Sequence, residues 1–188
     1  MKINSLSIIS VIAVLTPLAN ANAGAIVDFY TGAMVGVGGQ VLFLDHHDKT
    51  DSAFTLGALV GVDIPLFRIE AEYNHLASSD INANTAMLNA YFKVPSMLVT
   101  PYIGAGAGMV FDGRYSETIE TVKTTYKFDT SPAYQGMLGL TIDVPVAPLK
   151  FDIEGRALYA PKVYEIALSG EKPDFLQYDV RLKMRLIF

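Results

Sequence analysis

Along most of this chain apolar and polar residues alternate one by one. In 67–74, Phe67, Ile69, Ala71 and Tyr73 take turns with Arg68, Glu70, Glu72 and Asn74. In 149–159, Leu149, Phe151, Ile153, Gly155, Ala157 and Tyr159 alternate with Lys150, Asp152, Glu154, Arg156 and Leu158. The last twelve residues set Gln177, Asp179, Arg181, Lys183 and Arg185 against Tyr178, Val180, Leu182, Met184, Leu186 and Phe188. Successive side chains of a strand point to opposite faces, so each segment has one apolar face and one charged face. No long segment sustains the three-and-four spacing of an amphipathic helix.

The same parity predicts eight strands, near 29–43, 53–63, 67–76, 85–94, 100–111, 133–144, 149–159 and 175–188. Glycine crowds three of them, in Gly-Ala-Met-Val-Gly-Val-Gly-Gly-Gln, Leu-Gly-Ala-Leu-Val-Gly-Val and Tyr-Ile-Gly-Ala-Gly-Ala-Gly. Glycine inside a strand marks a bend or a close approach of neighbouring groups. Three connections are short and begin on Pro65, Pro95 and Pro145. Each follows an apolar, charged, β-branched lead-in: Val62-Asp63-Ile64, Phe92-Lys93-Val94 and Ile142-Asp143-Val144. Proline has no N–H for the ladder, so it ends each strand at an equivalent register. The other connections are longer and polar, and the longest runs from Asp112 to Ser131. Its content of Thr and β-branched residues predicts a hairpin that prolongs the two strands it joins. The result is an up-and-down meander with two unlike ends.

A soluble barrel or sandwich would turn the apolar faces inward, whereas a transmembrane barrel turns them to lipid and its charged faces to the lumen. Alternation alone does not separate the two. The N-terminus does more: Lys2, an apolar stretch from Leu6 to Leu18, and Ala21-Asn22-Ala23 read as a secretory signal peptide over 1–23. A retained anchor is the competing reading, but the apolar run falls short of the roughly 20 residues of a spanning helix. The exported part is then one domain, 24–188. The strands approach the roughly 9–11 residues needed to cross a bilayer at a tilt. Aromatic residues gather near strand ends, at Phe43, Phe54, Phe67, Tyr73, Phe92, Phe111, Tyr134, Phe151, Tyr159 and Phe188. Two such belts are what the membrane interfaces require. The expected fold is an all-β, eight-stranded antiparallel up-and-down transmembrane β-barrel.

Composition changes this picture little. With no cysteine, disulfides, zinc-thiolate sites and cysteine nucleophiles are excluded. A net charge of −5, one unit more acidic once Lys2 is removed, argues against a nucleic-acid surface.

The ending resembles the assembly signal of bacterial outer-membrane β-barrels, which finish on Phe with apolar residues at alternate positions. Val180, Leu182, Met184, Leu186 and Phe188 match it, with Leu186 where that family often has Tyr. Thr-Pro-Tyr-Ile-Gly-Ala-Gly-Ala-Gly-Met-Val-Phe at 100–111 resembles a strand of the small OmpA-like and Opa-like surface-antigen barrels. The resemblance implies a Gram-negative outer-membrane protein whose last strand is read by the barrel-assembly machinery and closes against the first. It also implies contact with outer-membrane lipids. Since nothing follows Phe188, the peptidoglycan-binding domain of some relatives is expected to be missing. A monomer is expected.

Parity places Arg68, Glu70, Glu72, Asp152, Glu154, Arg156, Asp179, Arg181 and Lys183 in the lumen. They read as a salt-bridged plug, as a gated ion path or as a pair of catalytic carboxylates. Eight strands leave an interior just wide enough for side chains, which favours the plug. Asp45-His46-His47-Asp48 offers metal-binding residue types without a third ligand at defined spacing, and reads as a solvated loop. His75 and Ser78 resemble the His and Ser of outer-membrane lipid A deacylases, but that family has one residue between them and this chain has two. No phosphate loop, nucleophile elbow, cofactor site or metal site follows from the sequence. The expectation is a closed barrel, not an enzyme, acting as a structural or surface-interaction module through its extracellular loops. The alternatives are a transporter of small apolar molecules, a lipid-modifying enzyme and a soluble exported barrel.

Overall fold

A computed structural model of the chain describes residues 27–43, 49–78, 81–96, 98–119, 122–127, 130–145, 147–161 and 174–188. The signal-peptide reading and the Asp45–Asp48 stretch lie outside the described residues. Among these, nine strands form: β1 (Asp28–Phe43), β2 (Lys49–Asp63), β3 (Phe67–Ser78), β4 (Ile81–Lys93), β5 (Val99–Ile119), β6 (Val122–Lys127), β7 (Ser131–Asp143), β8 (Leu149–Ala160) and β9 (Asp174–Ile187). Every pairing is antiparallel: β1 to β5 each pair the next strand in the chain, β5 also pairs β7, β7 pairs β8, β8 pairs β9, and β9 pairs β1. The sheet is therefore closed. Eight strands make the wall, because β6 pairs only the outer part of β5, from Arg114↔Lys127 to Ile119↔Val122. This is the expected hairpin in the longest connection. Closure runs along β1 and β9 from Tyr30↔Ile187 to Phe43↔Asp174.

The strands outrun the sequence-based bounds at the long-loop end. β2 begins at Lys49 rather than residue 53, and β4 at Ile81 rather than 85. Polar residues such as Asp51, Ser52 and Asn82 break the apolar alternation there, yet they still pair across the ladder. Alternation reports the part of a strand with an apolar side, whereas backbone pairing continues beyond it.

The faces sort by parity. β3 alternates exposed and buried from Phe67 to Leu76, with the charged set buried. Exposed positions carry Val35, Val37, Leu56, Val60, Ile69, Leu88, Ile103, Leu138, Leu140, Ile153, Val180 and Leu182. Such a shell suits lipid. Aromatic residues bound it at both ends. Toward the proline turns lie Phe29, Phe67 and Phe92, the last two edge-on at 5.6 Å. Toward the long loops lie Phe54, Tyr73, Tyr134, Tyr159 and Tyr178, with Phe111 6.2 Å from Tyr73.

The crowded glycines have a spatial reason. Three buried tyrosines each stand opposite a glycine on the next strand: Tyr30 and Gly61, Tyr91 and Gly104, Tyr102 and Gly139. A Cβ on any of these glycines would come within 3.0 Å of the tyrosine ring or its hydroxyl. The ring thus lies across its neighbour's backbone, in the space a side chain would fill. Gly104→Val should displace Tyr91 and destabilise the barrel by about 1–3 kcal/mol. Gly136→Val, on the outer wall with nothing within 4 Å of the added carbon, should be near neutral. Urea titration of both variants in lipid vesicles checks the contrast.

Candidate functional site: a filled, charge-balanced lumen

Among the described residues, twelve charged side chains are buried in the lumen. Asp63, Glu70, Glu72, Asp152, Glu154 and Asp179 face Arg68, Lys93, Arg156, Arg181, Lys183 and Arg185. Six negative charges meet six positive ones. The nine residues assigned to the lumen by parity all lie here, brought together by β3, β8 and β9.

At the end of the proline turns, Asp63 accepts from Lys93 and from Arg185 Nη1 at 3.1 Å. Lys150 stands between Asp63 and Asp143, at 3.7 and 3.5 Å. Asp63, Lys93 and Asp143 are the charged members of the three lead-ins before proline, so that repeated motif builds a ring of ion pairs at one mouth. One step deeper, Arg185 forks onto Asp152 through Nε at 2.6 Å and Nη2 at 2.9 Å. Arg68 lies 3.5 Å from Asp152, with its guanidinium 4.0 Å from the Tyr91 ring centre and 4.6 Å from that of Tyr102. Its Nε and Nη2 have no hydrogen-bond partner; the negative ring faces supply the compensation that acceptors do not.

The middle tier centres on Lys183. Its ammonium reaches Glu70 at 2.8 Å, Glu154 at 3.2 Å and Glu72 at 3.6 Å. Glu70 also accepts from the hydroxyls of Tyr30 at 2.8 Å and Tyr91 at 2.9 Å. Arg181 bridges Glu72, at 3.0 Å, and Glu154, through Nε at 3.0 Å. Tyr102 donates to Glu154 at 3.0 Å, and Gln135 to Glu72 at 2.9 Å.

Above this, Arg156 forks onto Asp179, with Nε at 2.9 Å. Thr55 and Gln177 each donate to the same carboxylate at 3.0 Å. Nearer the long loops the lumen turns apolar, with Leu76, Ala83, Val110, Ala133, Leu158, Ala160 and Phe175 fully buried. Charges in such a site are stable only when each has its counter-ion, and removing one partner strands the other. Every one of the six buried carboxylates has a cation within 3.6 Å. Ion pairs and hydrogen bonds reach across the lumen between β9 and the β2–β3 side at each tier.

Sequence reasoning missed Asp63, Lys93 and Arg185, and with them Tyr30, Tyr91 and Tyr102. Arg185 shares its parity with Arg181 and Lys183, so the signal was available. The lead-in charges read as strand punctuation because they adjoin proline. Tyr30 and Tyr91 share parity with a charged neighbour, Asp28 and Lys93, but an aromatic ring in an alternating strand reads as lipid-facing.

His75 is exposed on the outer wall, where its Nδ1 lies 2.9 Å from Asn84 Oδ1. Ser78 is three residues along the same strand and bonds Gln40, a buried lumen residue. The two point to opposite sides of the wall and form no pair. On β9, Val180, Leu182, Met184 and Leu186 face outward and are 38–59% exposed. Phe188 donates its N–H to Phe29 O at 2.8 Å, one step past the ladder. A recess of about 700 Å³ lies over Gly136 and Gly155, walled by Val37, Ile103, Leu138 and Val180. The ladders beneath it, from β1 through β9, β8 and β7 to β5, are unbroken. It is a dent in the outer wall, not a lateral opening.

No protein-family model and no curated protein matches the chain. Solved structures do. The Neisserial surface protein A, NspA, superposes with a TM-score of 0.58 at 17% identity, covering 85% of this chain and 97% of its own. The N-terminal β-barrel domain of Pseudomonas aeruginosa OprF gives 0.51 at 11% identity, covering 84% and 97%. The likeness is one of fold: this chain, like these outer-membrane proteins, is a small β-barrel, here eight-stranded, antiparallel and closed, with its apolar face turned outward as in a transmembrane barrel.

Proposed function

We propose that the protein resides in the bacterial outer membrane as a closed barrel, with a structural or surface-interaction role carried by its long loops. The carrying observation is the lumen: among the described residues six buried acids face six buried bases, and this supports a bore closed by ion pairs rather than a channel or a catalytic site. The apolar shell between two aromatic belts supports the membrane setting. Recognition then falls to the long-loop end, because loops on a rigid scaffold can vary without disturbing it. The β5–β6 hairpin, which carries the ladder beyond the wall, is a firm support for such a contact.

The test combines location with conductance. The protein should fractionate with outer membranes and show heat-modifiable gel mobility. Purified and placed in planar bilayers, it should carry little steady ion current. A large, stable and reproducible open channel would contradict the plug and favour a transport role.

A further inference from the structure

Among the described residues the outer wall is uncharged over its lipid-facing height, and beyond the long-loop aromatic belt polar and basic groups gather on one sector. Just beyond Tyr73 and Phe111, where β3, β4 and β5 run side by side, His75, Asn84, Asn82 and Arg114 follow one another on the outer face. The register links them: His75↔Asn84, Asn84↔Phe111 and Asn82↔Arg114. His75, Asn82 and Arg114 are exposed, and Asn84 is half-buried.

Arg114 reaches this face through a β-bulge. From Asn84 to Asn82 β4 advances two residues, while the partner positions on β5, Phe111 and Arg114, are three apart. Simple alternation would put residues 111 and 114 on opposite sides of the wall. The extra residue cancels the change of side, and bulges re-aim side chains in this way. Asp112 sits within the bulge at φ 47°, a left-handed conformation that Asp tolerates better than most residues. The chain accepts local strain here, and the outcome is an arginine above lipid rather than above the lumen. Lys127 is the backbone partner of Arg114 in the β5–β6 hairpin.

The patch is also preset. Asn84 Oδ1 accepts from Tyr73 Oη at 3.0 Å and lies 2.9 Å from His75 Nδ1. That commits the carbonyl side of the amide and leaves its NH₂ as a donor. Among the described residues one acid adjoins the group: Asp112, 3.6 Å from Arg114, with both side chains more than half exposed. A surface pair of this kind contributes little and exchanges readily.

We propose that this patch binds the headgroup of an anionic phospholipid, a phosphate whose charge no cationic group on the same lipid offsets, from the side of the barrel. The acyl chains would lie along the apolar wall below Tyr73 and Phe111. The phosphate oxygens would accept from the Arg114 guanidinium and the amides of Asn82 and Asn84. Arginine's planar fork matches phosphate oxygens two at a time. The proposal rests on the membrane reading above, but not on any ligand for the loops.

The full-length protein is reconstituted into vesicles of phosphatidylcholine with phosphatidic acid, released into detergent, and its bound lipid determined by native mass spectrometry. Phosphatidic acid should be retained in preference to phosphatidylcholine, and Arg114→Gln should weaken that retention roughly tenfold, as expected for one lost charge-assisted hydrogen bond. His75→Gln with Asn84→Ala should weaken it further. Heat-modifiable mobility confirms that each exposed-site variant is folded. Deleting Gly113, which removes the bulge, should abolish the preference in a barrel that still folds. Equal retention of the two lipids, or unchanged retention in Arg114→Gln, overturns the proposal. Displacement of phosphatidic acid by inorganic phosphate alone would show a site for a free anion and overturn the lipid assignment. A chain that never enters the vesicles overturns the membrane reading itself, and the proposal with it.

Discussion

Phe188→Asp should fold almost normally into lipid vesicles and yet accumulate unassembled in the periplasm. The residue lies just past the end of β9, its N–H bonded to Phe29 O, at the level where the apolar shell meets the proline-turn interface. A charge on the lipid face costs about 0–1 kcal/mol near an interface, far less than at the midplane. The backbone bond to Phe29 survives the substitution, because it uses no side-chain atom. Thermodynamics therefore predicts a small loss, while a terminus read by the assembly machinery predicts failure in cells. Pulse-labelling with cell fractionation, beside urea titration in vesicles, separates the two. Equal impairment in both settings makes Phe188 chiefly a packing residue. Normal assembly in the cell sinks the signal reading.

Arg181→Ala should be among the most damaging single changes in the lumen. It removes the shared partner of Glu72 and Glu154, leaving two buried carboxylates with Lys183 as their remaining neighbouring cation. Stranding a buried charge costs roughly 3–5 kcal/mol. Arg181→Met restores the volume but not the charge, so it should recover only the packing part. Adding Glu72→Gln to Arg181→Met restores the balance at five acids and five bases, with Glu154 still 3.2 Å from Lys183, and should regain most of the loss. Urea unfolding of the four proteins in vesicles reads the series. If Arg181→Ala is as stable as the parent, the network is not what holds the lumen.

Much of this architecture was legible in the chain, for a physical reason. A wall one residue thick obliges every strand to declare its two sides, so parity alone assigned Arg68, Glu154 and Lys183 to the lumen. The proline lead-ins gave the turns, and the Thr-rich stretch after Asp112 gave the hairpin. What parity could not give was height. Asp63 and Lys93 meet because β2, β3 and β4 carry them to one mouth, a matter of stagger between strands that no single strand encodes. The bulge at Asp112 was illegible for the opposite reason: one inserted residue reverses parity, and a sequence read by alternation continues in the wrong phase beyond it. The tyrosine–glycine pairs are legible only once register is known, since partners such as Tyr30 and Gly61 lie far apart in the chain.

The distribution of lumen charge over the strands bears on how the barrel comes together. β9 brings one acid, Asp179, and three bases, Arg181, Lys183 and Arg185. The other buried lumen charges number five acids and three bases. Before β9 is seated, the remainder of the wall thus encloses two uncompensated negative charges, and the final strand carries two positive ones. Each half alone would be a poor guest in a bilayer; together they are neutral. The last strand is the counter-ion of all that precedes it, so sealing the seam and discharging the interior are a single event. An almost complete barrel gains little from being almost complete. Salt should weaken this attraction while the seam is open to water and lose its hold once the charges are enclosed. Ionic strength therefore acts on the rate at which the barrel shuts more than on the stability of the barrel once shut.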